Sequence, residues 1–259
     1  SLQVLASVDQ FLLREIGKSP ELRKKRWSWD YSSQKAYLSS IKENRDRFRL
    51  RIGAVDDRLP VEDLKLVSTV ASGPLVAESK HFRVLAVQWL VFEGVDAEGL
   101  LLEPSGVAKA QVVVVPDADW TPEMVAGLVP DVPLQQQIAR LLAEAGCRVL
   151  VPTLINRRNT WSGNPRIRMT NQTHREFIYR QAYFMGRHLI GYEVQKVLAA
   201  LDYFTREKTS WGEAALEIGV SGHGEGALIA LYSAALDARI QATLVSGYFQ
   251  QRESVWEEP

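Results

Sequence analysis

Cysteine, net charge and long apolar runs are all scarce in this sequence, and each scarcity excludes a class of protein. The 259 residues include one cysteine, Cys147, which excludes an internal disulfide framework and a multi-cysteine metal cluster. Basic and acidic residues number 31 each, so bulk charge gives no reason to bind nucleic acid or an anionic membrane. Apolar runs such as residues 112–115 are far shorter than the roughly 20 residues that span a bilayer.

The residues that are present are typical of a globular protein. Apolar residues make up 46% of the chain, enough for a sizeable core in one large α/β domain or in two smaller ones. The chain begins at Ser1 and stops at Pro259, shortly after a predicted strand. We interpret the sequence as a fragment, and it leaves the compartment and the oligomeric state open.

The N-terminal part is unusually basic. Residues 14–51 carry 12 basic and 5 acidic side chains, a net charge of +7. Pro20 is expected to open a short helix, and Ser33 to cap a longer helix that Gly53 ends. We predict a basic helical extension over residues 1–79 that docks on an acidic body with its charges solvated. An arm that binds nucleic acid is the alternative.

From residue 80 onward, predicted strands and helices alternate. Residues 82–103 indicate a β-hairpin. A strand at 111–115, an amphipathic helix at 133–145 and a strand at 147–151 form a βαβ unit, so these two strands should be parallel neighbours.

The remainder continues this alternation. A long loop over 152–172 precedes a helical segment that Thr173 caps and that extends to about residue 206, with Gly186 and Gly191 as interruptions. The last third predicts a strand at 216–221, a helix at 226–236 and a strand at 242–246. Helices between parallel strands imply a mostly parallel sheet covered on both faces.

A glycine-rich turn between the strand at 216–221 and the following helix is the most informative motif. In IGVSGHGEGALIALYSAA, glycines 222, 224 and 226 are spaced two apart, which allows a sharp turn with close backbone approach. Two motifs have this shape: the nucleophile elbow G-x-S-x-G and the dinucleotide fingerprint G-x-G-x-x-G/A, which Gly222, Gly224 and Ala227 satisfy. The fingerprint also requires an acid at the end of the next strand. Here that strand ends near residues 247–249, and no acid follows its end before Glu253.

The order of elements, this turn and the segment AALDARIQATLVSG resemble the α/β-hydrolase superfamily, in its dienelactone-hydrolase and acetyl-xylan-esterase-like branch. The resemblance covers roughly residues 80–250 and implies a three-layer α/β-hydrolase-like sandwich over 80–259, truncated at its C-terminus. VVVVPDADWTPE resembles the strand and loop that supply one oxyanion-hole N–H in such enzymes, which places Ala118 and Trp120 at the substrate. The implied activity is carboxylic-ester hydrolysis.

Two departures from the family pattern bear on that activity. Gly224 stands where the resemblance places the nucleophilic serine, and glycine has no side chain with which to form an acyl-enzyme. The triad acid and histidine normally follow the nucleophile, whereas the four histidines are all at or before His223. The chain therefore cannot hold an ordinary Ser-Asp-His triad.

Four side chains near the turn remain as candidates for catalysis. Glu225 lies at a helix N-terminus, where the dipole favours a carboxylate, and His223 is a candidate acid–base group. Asp117 and Asp119 follow the carboxyl end of a strand, the edge at which open α/β sheets bind ligands. The alternatives are an N-terminal charge match for Glu225, a structural hydrogen bond for His223, and capping or turn roles for the two aspartates.

A second group of residues is a candidate pocket for an anionic or a sugar-like ligand. Trp161 is a candidate stacking platform, beside the candidate polar contacts Arg157, His174 and Arg175. The alternative is a solvated, salt-bridged cover. No metal motif is present, because the pattern His-x-Glu at residues 174–176 lacks a second histidine.

We therefore expect an ester hydrolase related to acetyl esterases whose serine is replaced by glycine, without a cofactor or metal. A catalytically silent homologue that binds a small-molecule ester, a carbohydrate ester or a partner is the first alternative. A nucleotide-binding module is the second. No nucleic-acid or membrane partner is expected.

Overall fold

The computed structural model describes residues 2–68, 73–161, 163–168, 171–211 and 216–250. Glu253 and the predicted truncation at Pro259 lie outside these residues. The chain divides into two compact units, residues 1–51 and 52–259. The boundary differs from the predicted one at residue 79, because the short strands between residues 65 and 78 pair with the sheet of the second unit.

The first unit consists of three helices: α1 (Leu2–Lys24), α2 (Gln34–Ser40) and α3 (Lys42–Arg51). Pro20 lies inside α1 and does not begin a helix. Ser33 caps α2 as predicted, with its hydroxyl accepting a hydrogen bond from the Ala36 amide at 3.1 Å. The predicted longer helix is two helices that separate at Ile41.

The second unit is built on one eight-stranded sheet. Its strands are β1 (Lys65–Leu66), β2 (Leu75–Glu78), β3 (Phe82–Phe92), β4 (Val95–Pro104), β5 (Gln111–Val115), β6 (Arg148–Pro152), β7 (Ile218–His223) and β8 (Ala242–Ser246). The order is β1-β3-β4-β6-β5-β7-β8, and β2 also pairs with β3.

The direction of the strands changes across the sheet. The β5–β6, β5–β7 and β7–β8 pairs are parallel, which confirms the predicted βαβ unit. The pairs that involve β3 and β4 are antiparallel, because the predicted hairpin extends the sheet beyond β6. The prediction of a mostly parallel sheet is therefore wrong: the sheet is mixed, with its parallel half at the glycine-rich turn.

Helices cover both faces of this sheet. The remaining helices are α4 (Pro122–Val125), a 3₁₀ turn (Leu134–Gln136), α5 (Ile138–Glu144), α6 (His174–Phe184), α7 (Leu189–Trp211) and α8 (Glu225–Leu236). On one face, Ala139 and Ala143 of α5 pack with Val114 and Val149 of the sheet. On the other face lies α7, whose Lys196 carbonyl accepts a hydrogen bond from the buried Trp89 indole at 3.1 Å.

The three layers confirm the predicted α/β-hydrolase-like fold class. Helix boundaries differ from the prediction at two points. Gln137 adopts a non-helical backbone (φ −82°, ψ 54°), so the predicted helix at 133–145 is a 3₁₀ turn followed by α5. Gly186 has φ +67° and separates α6 from α7, while Thr173 caps α6 as predicted. Within the described part of the chain, no helix is both long and apolar enough to cross a membrane.

Candidate functional site

The glycine-rich turn between β7 and α8, which we call the elbow turn (residues 222–226), is as tight as its spacing predicts. A Cβ atom on Gly222 would lie 2.1 Å from the Gly226 carbonyl oxygen, and one on Gly226 would lie 2.2 Å from that of Val115. Gly224 is at the apex with φ 56° and ψ −123°, a conformation that L-residues adopt only under strain. Its amide donates to the Ser246 carbonyl at 2.9 Å.

The carboxylate of Asp117 fills the space in front of the apex. A Cβ atom on Gly224 would lie 2.2 Å from Asp117 Oδ2. The same oxygen accepts a hydrogen bond from the Glu225 amide at 2.8 Å, and Oδ1 accepts one from the Asp119 amide at 3.2 Å. Asp117 therefore occupies the place that a side chain at position 224 would take. Ala118, between the two aspartates, is buried.

Arg157 joins three carboxylates around the elbow turn, and we call this group the Arg157 cluster. Its guanidinium donates to Asp117 at 3.1 Å, to Asp119 at 2.8 Å and to Glu225 at 2.8 Å. Burial opposes the charge on Arg157, but the hydrogen bonds to Asp117 and Asp119 outweigh burial and raise the pKa of the guanidinium. The predicted residues Asp117, Asp119, Glu225 and Arg157 thus form one contiguous cluster.

Arg175 supports this cluster from the interior. It is 7% exposed and donates to the Ile155 carbonyl at 2.7 Å and to the Glu225 carboxylate. Burial lowers the pKa of Arg175; the nearby charge of Glu193 opposes that shift, and that of Arg157 adds to it. Arginine nonetheless stays charged in proteins, so Glu225 has a cationic partner on each side.

Sequence reasoning missed two charged residues behind Arg175. Glu193 is completely buried, accepts a hydrogen bond from the Ile155 amide at 2.9 Å and lies 3.7 Å from Arg175. Lys196 pairs with Glu193 at 2.5 Å and donates to the Thr153 carbonyl at 2.7 Å. The available signal was their spacing of three residues on a helix. Together with the Arg157 cluster these groups comprise four carboxylates and three cations.

His174 is engaged through both ring nitrogens. Nε2 lies 2.8 Å from the Trp161 amide, which donates to it, and Nδ1 lies 2.9 Å from Asn156 Oδ1. Because Nε2 accepts from the Trp161 amide, Nδ1 is the ring nitrogen that can donate to Asn156. Trp161 itself is 54% exposed and packs edge-on against Phe177, with ring centroids 5.6 Å apart. These contacts connect Asn156 and Trp161 to α6, and the ligand-binding roles of His174 and Trp161 remain predictions.

An open cavity of about 360 Å³ lies next to the elbow turn, and we call it the strand-end cavity. Three register partners on neighbouring strands line it: Val114 on β5, Ser221 on β7 and Leu244 on β8. Its lining mixes apolar and polar residues: Val114, Val115, Pro116, Asp117, Trp120, Val125, Gln135, Gln136, Ile138, Ser221, Gly222, His223, Leu244 and Ser246. Of the predicted pocket residues, Trp120 lines this cavity.

His223 contacts a residue that sequence reasoning did not single out. Its Nδ1 lies 3.2 Å from the hydroxyl of Ser246, which stands at the end of the neighbouring strand. The available signal was the predicted strand at 242–246, because neighbouring parallel strands end at the same edge of a sheet. Among the residues that the structure describes, no group of three or more His, Cys, Asp or Glu side chains is arranged to hold a metal ion.

Comparison with known proteins identifies esterases as structural neighbours. A proposed acetyl xylan esterase from Bacteroides fragilis superposes with a TM-score of 0.54 at 14% identity, covering 79% of this chain and 53% of its own. Acetyl xylan esterase 1 from Thermoanaerobacterium sp. has a TM-score of 0.46 at 16% identity, covering 84% and 61%. A glucuronoyl esterase from Solibacter usitatus has a TM-score of 0.48 at 14% identity, covering 82% and 59%.

The likeness is one of structure, because no protein-family model and no curated protein matches the sequence. The chain spans between about half and three fifths of the length of these three structures. At these identities the superposition on the Bacteroides protein bears on architecture alone. This chain has an α/β-hydrolase-like fold, shared with the proposed acetyl xylan esterase from Bacteroides fragilis.

Proposed function

We propose that this chain is an esterase-related domain that binds a short acyl ester or a carbohydrate ester in the strand-end cavity, and that its elbow turn performs no serine chemistry. The observation that carries the proposal is the position of the Asp117 carboxylate at the apex.

Serine hydrolysis at an elbow needs a nucleophile and a free oxyanion donor. Gly224 supplies no nucleophile, and a Cβ atom there would meet Asp117 Oδ2 at 2.2 Å. The amide of the residue after the nucleophile is one oxyanion donor in hydrolases of this fold, and here the Glu225 amide donates to Asp117. Neither requirement is met at Gly224.

The charge around the elbow turn favours an uncharged ligand. The Arg157 cluster, with Arg175, Glu193 and Lys196, has one more carboxylate than cation. A phosphate or a dinucleotide would approach a helix N-terminus already occupied by a carboxylate, so nucleotide binding is disfavoured. An ester carries no charge and avoids this repulsion.

The volume of the cavity favours a small ligand. At about 30 Å³ for each water in the liquid, about 360 Å³ accommodates roughly a dozen non-hydrogen atoms. A singly acetylated pentose is of this size. The Trp120 wall suits the face of a sugar ring or an acyl chain, while Gln135 and Gln136 supply hydrogen-bonding groups.

The second candidate is ester cleavage by a water molecule that Glu225 or Asp119 activates. Both carboxylates lie at the predicted edge of the sheet, which favours it. However, Arg157 donates to both of them and Arg175 also pairs with Glu225, so both carboxylates are already engaged by cations. Under this candidate, Glu225→Gln and Asp119→Asn would each slow hydrolysis of p-nitrophenyl acetate, whereas the proposed function predicts unchanged rates.

Binding is tested with a singly acetylated methyl xyloside, followed by ligand-observed NMR. We expect saturable binding that Trp120→Ala weakens by about tenfold, the order expected when a stacking contact worth about 1.4 kcal/mol is lost. Trp161→Ala is the matched control, because its ring packs on Phe177. Unacetylated methyl xyloside should bind more weakly. Absence of binding, or equal losses in both tryptophan variants, would refute the proposal.

A further inference from the structure

Strand register places a hydroxyl and an imidazole side by side over the strand-end cavity. His223 and Ser246 are register partners at the carboxyl ends of parallel strands β7 and β8. Their side chains meet, with His223 Nδ1 3.2 Å from Ser246 Oγ, within the range of a hydrogen bond between nucleophile and base in an unliganded site. Both residues line the cavity.

Two backbone features fix the orientation of this pair. Gly247 has φ +70°, and a Cβ atom there would lie 2.9 Å from His223 Cε1, so the absence of a side chain allows the imidazole to lie close to the backbone. The Ser246 carbonyl accepts a hydrogen bond from the Gly224 amide at 2.9 Å. This bond ties the backbone of Ser246 to the elbow apex.

We propose that Ser246 is an acyl acceptor and that His223 is its base, which gives the strand-end cavity an activity independent of Gly224. The inference rests on the proposed function, because the ester must first bind in that cavity. Ser221 also lines the cavity, but the contact with an imidazole belongs to Ser246.

The step is an ordinary acyl transfer. Ser246 Oγ attacks the ester carbonyl carbon while its proton moves to His223 Nδ1. The bond from that carbon to the alcohol oxygen then breaks, and the proton on Nδ1 passes to the departing alcohol. Water hydrolyses the resulting serine ester by the same route in reverse. With an aryl ester, acylation expels a stabilised phenolate whereas deacylation must expel the Ser246 oxygen, so we expect acylation to be faster than turnover.

The experiment uses the whole chain with p-nitrophenyl acetate as the probe. Intact-protein mass spectrometry should show addition of one acetyl group, and peptide mapping should place it on Ser246. Hydroxylamine separates a serine ester, which it cleaves, from an acetylated lysine. A fluorophosphonate probe should label the same residue.

The variants separate the pair from its surroundings. Ser246→Ala should abolish the label, and His223→Ala should slow acylation by about 10²-fold or more, the usual contribution of a positioned base. Matched controls are Ser105→Ala and His81→Ala, an exposed serine and an exposed histidine that do not line the cavity. Both controls should acylate at the rate of the unmodified chain, and circular dichroism verifies that each variant is folded.

The outcomes distinguish this inference from the proposed function. Label on another residue, or acylation that persists in Ser246→Ala, overturns the inference. If the acetylated methyl xyloside binds but no serine ester forms, the inference fails and the binding function stands. If neither binding nor acylation occurs, both fail.

Discussion

Two neighbouring strand ends of the same sheet present opposite arrangements. At the end of β7, the Asp117 carboxylate fills the space in front of Gly224, where a side chain at position 224 would lie. At the end of β8, the Ser246 hydroxyl faces an imidazole over an open cavity. Under the proposed acyl transfer, the sharp backbone turn and the reacting side chains would belong to two adjacent strand ends.

The largest effect on stability is expected at Arg175, which holds the Glu225 carboxylate of the elbow turn from the interior. Arg175→Met removes a buried cation that Glu225 and Glu193 share. Breaking such a buried pair typically costs about 3–5 kcal/mol of unfolding free energy. Urea denaturation measures it, and Arg180→Met is the control, because that exposed arginine pairs with Glu176 on one helix and should cost less than about 0.5 kcal/mol. Equal costs would show that Arg175 does not support the elbow turn.

A side chain at the apex should conflict with Asp117. Gly224→Ser combines a positive φ with overlap on Asp117 Oδ2, and we expect a loss of about 2–4 kcal/mol. Gly186→Ser is the matched control, because Gly186 has φ +67° and open space where its Cβ would lie.

Removal of the obstruction should then relieve the conflict. In the double variant Gly224→Ser/Asp117→Ala, a coupling of about 1–3 kcal/mol should be recovered relative to the sum of the single variants. Additive losses in thermal or urea unfolding would mean that Asp117 does not compete for the apex.

The two aspartates of the Arg157 cluster should differ. Asp117 accepts two backbone amides and is 20% exposed, whereas Asp119 is 61% exposed and pairs with Arg157. Asp117→Asn should cost about 1–3 kcal/mol of unfolding free energy and Asp119→Asn less than about 0.5 kcal/mol. The reverse order would mean that the apex is not held by Asp117.

The smallest effect is the contribution of His188 to the pH dependence of the unfolding free energy. His188 Nδ1 accepts a hydrogen bond from the Ile190 amide at 3.0 Å, at the start of α7. Burial, and then the charge of Arg175, lower the pKa of His188 below 6.5. The unfolded state therefore takes up the proton first, so stability should be fully present above about pH 6.5 and should fall as pH drops through the folded pKa.

The size of this pH effect should match that of a helix cap. The loss should approach about 1 kcal/mol, and His188→Asn, which retains a capping acceptor, should flatten it. Urea midpoints between pH 5 and pH 8 measure it. An identical pH profile in His188→Asn would assign the effect to another group.

Local signals predicted much of the fold. The strands β5 and β8 have the predicted bounds, and Ser33 and Thr173 cap helices as their side chains indicate. Periodicity did not reveal the break at Gln137, where the Gln137 amide group donates to the Val132 carbonyl at 2.6 Å. Nor could it reveal that β4 pairs antiparallel with β6, because strand order depends on long-range packing.

The candidate site was predictable in its parts but not in its arrangement. The motif located the elbow turn, and position along the strands located Asp117, Asp119 and Glu225. The contact between Asp117 and position 224 joins residues 107 apart in sequence, and no local pattern encodes it. The roles of Arg175 and Glu193 depend on burial, which cannot be predicted from the identity of a charged residue alone.

The carboxylate at the elbow apex has a consequence for competition. The side chain of Asp117 is chemically an acetate on a tether, held against the backbone amide of Glu225. Short tethers give effective concentrations on the order of millimolar or more. A free carboxylate ligand would have to exceed that concentration to displace it, so dilution and washing leave the apex closed and a change of sequence is needed to open it.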